Sequence, residues 1–226
     1  MNIAIIPAKK NSLRIKNKNI KCLDGKPIIL HVIDKLKQTK LFSQIIVSTD
    51  SKKIKKLVEM NGAEVPYLRS KKLSDNHSST KSVIMDVVKK NFIKNLDKKF
   101  IFCFYSTSVF FSKKNLIEGI NLLKKNKKKF IFTATEYDHP VQRGFYSEKK
   151  LLFFDKKSLK KRTQDLKRFY HDAAQFYLAV GNTWLEKKEI INQKSLYITL
   201  NKNSVVDIDD LEDWKAAEIM WRHGNE

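Results

Sequence analysis

Two carboxylates near the end of the chain and a basic loop near its start have the types and spacing to do chemistry. In Val205-Val-Asp-Ile-Asp209, Asp207 and Asp209 stand two residues apart. On an extended segment such residues point to the same side, so both can approach one cation. Mg²⁺ is commonly held by one or two carboxylates together with phosphate oxygens of a substrate. Asp210 and Asp213 follow, and acids there complement the dipole of a helix N-terminus. The same simpler reading is open to Asp207 and Asp209. At the other end, Lys9, Lys10, Ser12, Arg14, Lys16 and Lys18, with the amides of Asn11, Asn17 and Asn19, make a loop rich in anion-binding groups. A basic loop at the carboxyl end of a first parallel strand is where open α/β sheets bind ligands. A solvated loop in a lysine-rich protein is the alternative.

Other constellations are weaker. Tyr170, His171, Asp172 and Gln175 form a polar cluster before an apolar strand, which suits a hydrogen-bonding pocket wall. A Ser/His/Asp hydrolase would need a nucleophile-elbow sequence, and none is present. His31, His77, His139 and His223 have no metal-ligand spacing. The glycine-rich dinucleotide fingerprint and the Gly-Lys-Ser/Thr phosphate loop are both missing, which counts against nicotinamide and ATPase chemistry.

The elements that must position these groups follow from periodicity. Asn2–Pro7 is a β-branched run that fits a central parallel strand. Pro27 is placed to start a helix, and Ile28, Ile29, Val32, Ile33, Leu36 and Leu41 recur at helical spacing. Residues 44–50 predict a second strand, and Asp50 or Ser51 can cap a helix over 52–61 that Gly62 closes. Residues 63–68 predict a third, short extended segment, giving the βαβαβ rhythm of a parallel sheet. Residues 78–80 cap a further helix, 100–105 predict a fourth strand, Ser112 begins a helix and 130–135 predict a fifth strand. From about 136 to 166 the rhythm breaks, which suggests an insertion with a hairpin strand over 149–155. Strands at 174–180 and near 197–200, a short helix at Trp184 and an amphipathic helix over 211–221 complete the chain.

The chain has 226 residues, a formal charge of +22 and 42% hydrophobic residues, enough for one sizeable domain with an insertion. Only six of its 46 basic residues are Arg, the rest Lys. Base-reading and bidentate phosphate sites favour Arg, so the charge argues for attraction of phosphorylated substrates more than for nucleic-acid binding. Cys22 and Cys103 lack metal-ligand spacing and predict free core thiols. With no signal peptide and no apolar run of transmembrane length, the expectation is a cytoplasmic protein without membrane or nucleic-acid partners.

These blocks, in order, resemble the acylneuraminate cytidylyltransferases, and the resemblance spans essentially the whole chain. Ile6-Pro-Ala-Lys-Lys-Asn-Ser12, Arg14 and Lys18-Asn19 are similar to the opening signature Ile-Pro-Ala-Arg-Gly-Gly-Ser followed by Lys-Asn. Val47-Ser-Thr-Asp50, Val65-Pro-Tyr-Leu-Arg69, Tyr105-Ser-Thr-Ser and Asp207-Ile-Asp209 match later blocks. Arg162-Thr-Gln-Asp-Leu and Tyr170-His-Asp-Ala-Ala-Gln-Phe-Tyr177 resemble the version carried by the pseudaminic acid branch, as do Pro140-Val-Gln-Arg143 and Tyr105. The resemblance implies a Rossmann-like, mostly parallel nucleotidyltransferase fold and a homodimer joined through a subregion at about 137–168. It implies transfer of CMP from CTP, with Mg²⁺, to a nine-carbon 2-keto sugar acid. Pseudaminic acid comes first; sialic, legionaminic or a related acid is the alternative.

By the same resemblance Ala8, Lys9, Ser12, Arg14, Lys18 and Asn19 would surround the triphosphate, with Arg69 and Thr80 at the base and ribose. Tyr105, Gln142, Arg162, Gln164, Asp172, Gln175 and Phe176 would meet the sugar. Asp207 and Asp209 would hold the metal, and with Lys9 and Lys18 would be catalytic. Three departures stand out: Lys9-Lys10-Asn11 in place of Arg-Gly-Gly, Ser106 and Val109 in place of prolines, and Ala174 in place of a glycine. The rivals are a basic nucleic-acid binder and an inactive relative.

Overall fold

The computed structural model describes every residue except 93, 128, 148, 149, 225 and 226. Strand β1 (Asn2–Pro7) is followed by a tight two-stranded turn, β2 (Cys22–Leu23) and β3 (Lys26–Pro27). At its corner Asp24 and Gly25 both have positive φ, which an Asp-Gly pair tolerates. Next come α1 (Ile28–Thr39), β4 (Gln44–Ser48), α2 (Lys52–Glu59), α3 (Thr80–Asn91), β5 (Phe100–Cys103), α4 (Lys113–Lys125) and β6 (Ile131–Glu136). The chain continues with β7 (Phe145–Ser147), β8 (Leu151–Phe153), β9 (Tyr170–Val180), α5 (Gly181–Leu185), β10 (Leu196–Thr199) and α6 (Leu211–His223). Among the described residues no helix is long and apolar enough to cross a membrane.

Hydroxyl caps mark the starts of three helices. Ser51 accepts the N–H of Ile54, Ser79 that of Ser82 and Ser112 that of Asn115. Asp210 caps α6 in a reciprocal box with Asp213.

Six strands form the main sheet in the order β10-β6-β9-β5-β1-β4. β4, β1, β5, β6 and β10 run one way, and β9 runs against its neighbours β5 and β6. β1 lies inside the sheet, and Ile3, Ala4, Ile5 and Ile6 are fully buried because both faces are covered. One face packs against α1, α2, α4 and α6, the other against α3 and α5. This is the mostly parallel, helix-flanked architecture that the sequence predicts, with one reversed strand added.

Two expectations need correction. Residues 63–68 do not form a strand: Glu64 makes a single bridge to Ile46, and Pro66, with no N–H to donate, cannot extend the ladder. Cys22 is exposed at the edge of the turn, whereas Cys103 is buried in the sheet, where burial pushes its thiol up and keeps it neutral. In the irregular region β7 and β8 pair as a hairpin, and the first residue of the strand expected there, Lys149, lies outside the described residues.

Candidate active site

The sheet explains where the site forms. The parallel strands β1 and β5 end at the same edge, and because β9 is reversed, its beginning lies at that edge too. The loop after β1, the loop after β5, the first half of β9 and the segment before α6 therefore converge.

The loop after β1 is tied down at several points. Lys10 donates its N–H to Asp50 Oδ1 at 2.7 Å, at the end of β4. Asn19 donates from Nδ2 to the Lys9 carbonyl at 2.7 Å and accepts from Ser106 Oγ at 2.5 Å, so one buried amide fixes both this loop and the one after β5. Lys18 donates to the Ile208 carbonyl at 2.6 Å and lies 3.4 Å from Asp209 Oδ1, while Arg14 Nη2 lies 2.7 Å from that same oxygen. Lys9 reaches across to Asn76 Oδ1 at 2.9 Å.

Two adjoining recesses result. The first, about 360 Å³, is bordered by Lys9, Ser12, Arg14, Lys18, Arg69, Thr80, Tyr105 and Asp209. The second, about 300 Å³, is bordered by Tyr105, Ser106, Thr107, Asp172, Ala174, Tyr177, Asp207 and Asp209. Pro7, Lys18, Asn19, Tyr105 and Asp209 border both, so the recesses are two ends of one cleft. The volumes fall in the range of small-molecule sites. The first end is dominated by cations, the second by carboxylates and hydroxyls.

Arg69 is buried, its Nε donates to Ser74 Oγ at 3.1 Å, and burial lowers its pKa against the opposing pull of Asp50 and Asp86. Thr80 Oγ1 is hydrogen-bonded to the Tyr105 hydroxyl at 3.1 Å. Burial first, then neighbouring Cys103, pushes the Tyr105 phenol up to about 12. The Tyr177 hydroxyl donates to Asp172 Oδ2 at 2.5 Å, and burial, then the Tyr105 and Asp172 neighbours, holds it well above the ordinary phenol range. Both tyrosines are thus neutral hydrogen-bonding groups near neutral pH.

Asp207 and Asp209 both border the second recess while Ile208 between them is buried in the core, so the expected alternation operates although no strand forms. The Asp207 carboxyl is raised, first by desolvation and then by the charge of Asp209, with Lys18 opposing. Two like charges that crowd each other at the wall of a recess are a donor pair that a divalent cation relieves. Among the described residues no cluster of three acidic, His or Cys groups stands ready to hold a metal. An ion here would complete its shell with water and phosphate oxygens, which is the habit of Mg²⁺. The donor set fits that ion.

Not every expected residue reaches the cleft. Ala8 is fully buried with its N–H donated to Ser48, and it borders neither recess. Phe176 is fully buried, packed against Phe102 and Phe104 under the sheet, so it cannot meet a sugar. Gln175 is also buried, and its amide is spent on Phe110 N–H and the Ala173 carbonyl. Gln142 donates to the Lys167 carbonyl and Gln164 lines a separate hollow beside Glu136–Phe169, while Arg162 is exposed in the same region.

For Gln175 and Phe176 the cause is a bulge: pairing between β6 and β9 shifts register between Phe132 and Ala134, and Ala174 adopts φ +51°. β9 carries three more residues than β6 over this stretch, and an odd number of extra residues reverses the phase beyond it. Asp172, Ala174 and Tyr177 consequently share the cleft side. Tyr177 escaped the sequence reading for that reason, as did Ser106 and Thr107, which signal only as small hydroxyl residues after a strand.

The whole chain has known relatives. It is 34% identical to the pseudaminic acid cytidylyltransferase of Campylobacter jejuni subsp. jejuni serotype O:2, over all of this chain and 98% of that protein. It is 30% identical to the CMP-N,N'-diacetyllegionaminic acid synthase of Legionella pneumophila, over 96% of this chain and 95% of that one. Against the N-acylneuraminate cytidylyltransferase of Escherichia coli O18:K1:H7 it is 28% identical, over 99% of this chain and 52% of that protein. Among solved structures, a CMP:2-keto-3-deoxy-manno-octonic acid synthetase complexed with CTP superposes with a TM-score of 0.70 at 12% identity, covering 99% of both chains. At that identity the likeness speaks for the fold alone. Residues 3–213 match the cytidylyltransferase family, and the chain belongs to it.

Proposed function

We propose that this cytidylyltransferase moves CMP from CTP to the anomeric hydroxyl of pseudaminic acid, giving CMP-pseudaminic acid and pyrophosphate in the cytoplasm. The observation that carries the choice of sugar is the end-to-end likeness, at 34% identity, to proteins named for that reaction. The two-ended cleft supports the same division of labour. Its cationic end, with Lys9, Ser12, Arg14, Lys18 and Asn19, suits a triphosphate, and Arg69 and Thr80 stand where base and ribose would follow. Its other end offers Asp172, Tyr177 and Tyr105 to a polyhydroxylated acid.

In this reading the sugar hydroxyl releases its proton to solvent as its oxygen bonds to the α-phosphorus, the bond from that phosphorus to the bridging oxygen breaks, and pyrophosphate leaves. No covalent enzyme intermediate is required. Lys18, bordering both recesses, and Lys9 and Arg14 lie where negative charge builds on the phosphates, and fixed cations at such a place are worth most in a sheltered cleft. Asp207 and Asp209 would hold Mg²⁺, which supplies charge neutralisation at the phosphates when bound. Tyr177 orients Asp172 through its short hydrogen bond.

The chain is also proposed to be a homodimer through the 137–168 subregion. Phe145, Tyr146, Leu151 and Phe154 are exposed on and beside that hairpin. A second copy would cover these apolar side chains.

Incubation of the purified protein with CTP, Mg²⁺ and pseudaminic, legionaminic or N-acetylneuraminic acid, with pyrophosphate release as the readout, tests the proposal. Pseudaminic acid should give the highest kcat/KM. Preference for either other acid would overturn the choice of sugar and leave the chemistry standing.

A further inference from the structure

We propose that Gln175 is a positioning residue that sets the shape of the second recess by tying the loop after β5 to the bulge of β9. The inference rests on the reading of that recess as the place of the sugar acid.

Two facing walls of the recess are Tyr105–Thr107 on one side and Asp172, Ala174 and Tyr177 on the other, with Pro7, Lys18, Asn19, Asp207 and Asp209 completing it. The loop wall lies beyond the end of β5 at Cys103, and the β9 wall is strand-paired only at its ends, Asp172 with Ala134 and Tyr177 with Phe132 and Cys103, with the bulge between them. The loop has no proline between Phe104 and Ser112, so its own backbone is unrestricted before it is tied down.

Gln175 lies between the walls, 1% exposed, with both polar atoms of its side chain hydrogen-bonded. Its Oε1 accepts the N–H of Phe110 at 3.2 Å, and its Nε2 donates to the Ala173 carbonyl at 3.2 Å. Its own N–H donates to Thr133 Oγ1 at 3.1 Å, which anchors the bulge to β6. A second tie runs parallel: Ser108 Oγ donates to the Ala174 carbonyl at 2.9 Å and accepts the N–H of Tyr105 at 3.1 Å. Gln175 borders neither recess, so it acts on the sugar only through the segments that it joins. The triphosphate end has ties of its own, from Lys10 to Asp50, from Asn19 to the Lys9 carbonyl and from Lys18 to the Ile208 carbonyl, and it meets the loop after β5 through the Asn19–Ser106 and Thr80–Tyr105 hydrogen bonds. Loss of the Gln175 tie should therefore fall mainly on the sugar.

The test uses the full-length protein and the nonulosonic acid that the wild type turns over best. Gln175→Met keeps the volume and removes both amide contacts; Ser108→Ala removes the parallel tie. Each should raise KM for the sugar about tenfold, the scale of one buried hydrogen bond lost, and leave KM for CTP within about twofold. Direct titration with CTP should show unchanged affinity. A folded Gln175→Met protein with wild-type sugar KM overturns the inference, whatever its Tm. An equal rise in both KM values also overturns it, since it would mark general loosening. If Gln175→Met does not fold, Ser108→Ala decides by the same two criteria. A wild type that turns over no nonulosonic acid removes the reading of the recess itself, and this is seen before any variant is made.

Discussion

Arg14 Nη2 lies 2.7 Å from Asp209 Oδ1, and Lys18 Nζ lies 3.4 Å from the same oxygen. The contact joins the first functional loop to the last functional segment, and it crosses the cleft where the two recesses meet. Both side chains are largely exposed, so the Arg14 pair adds no more than about 1 kcal/mol to stability. Its importance is one of place: the carboxylate that would hold a cation is already surrounded by the cations that would hold phosphate.

Asp209→Asn is therefore expected to separate function from folding. Turnover should fall at least about 100-fold, the scale of losing a preorganised charge in a cleft. Thermal unfolding should shift by no more than about 4 °C. Pyrophosphate assays with calorimetry on the same sample check this, and near-wild-type rates would rule out the metal role.

Tyr177→Phe removes the hydroxyl that donates to Asp172 Oδ2 at 2.5 Å. A hydrogen bond to a charged group contributes about 1.5–3 kcal/mol, so KM for the sugar should rise roughly ten- to a hundredfold if Asp172 meets it. Because the phenol is held far above its ordinary range, it titrates in neither wild type nor assay buffer near neutral pH. The pH profile of kcat/KM should keep its shape in the variant. A new inflection near neutral pH would contradict the assignment.

Ala174 carries φ +51° at the bulge, in the left-handed region that costs a residue with a Cβ about 1–2 kcal/mol. Glycine removes that strain and adds chain entropy to the unfolded state, which leaves a net gain of about 0.5–1 kcal/mol. Ala174→Gly should raise the urea midpoint with an unchanged m-value.

Gly181 marks the opposite end of β9, away from the cleft. A Cβ added there would stand 2.8 Å from Leu96 Cδ2 and 2.9 Å from the Leu96 carbonyl oxygen. Gly181→Ala should destabilise by about 1–3 kcal/mol through overpacking. Activity per folded molecule should be unchanged, a useful contrast with Asp209→Asn and Tyr177→Phe.

Much of this was legible in the chain because local rules and global fold agree. The apolar runs of β1, β5 and β6, the hydroxyl caps at Ser51 and Ser112, and the alternation of Asp207, Ile208 and Asp209 each follow from periodicity or capping chemistry. What was hidden depends on pairing between distant segments. An apolar strand such as β9 has the same composition whichever way it runs. Its bulge exchanged Phe176 for Tyr177 at the cleft, and no local signal announced it. Cys22 looked like a core thiol because its neighbours are apolar, yet the turn at Asp24-Gly25 brings it to the surface. Glu64 belongs to the sheet by a single bridge, since Pro66 ends what the pattern at 63–68 began.

The reversal of β9 has a last consequence. Its partner β6 precedes it directly, so the chain between them, from Tyr137 to Phe169, is in topological terms one enlarged hairpin loop. Closing such a loop costs only about 0.6 kcal/mol for each doubling of its length. An arm of this kind can grow, shrink or be exchanged between relatives while the sheet, the loop after β1 and the paired carboxylates stay in register. The fold thereby keeps its nucleotide chemistry in one part of the chain and leaves another free to diverge.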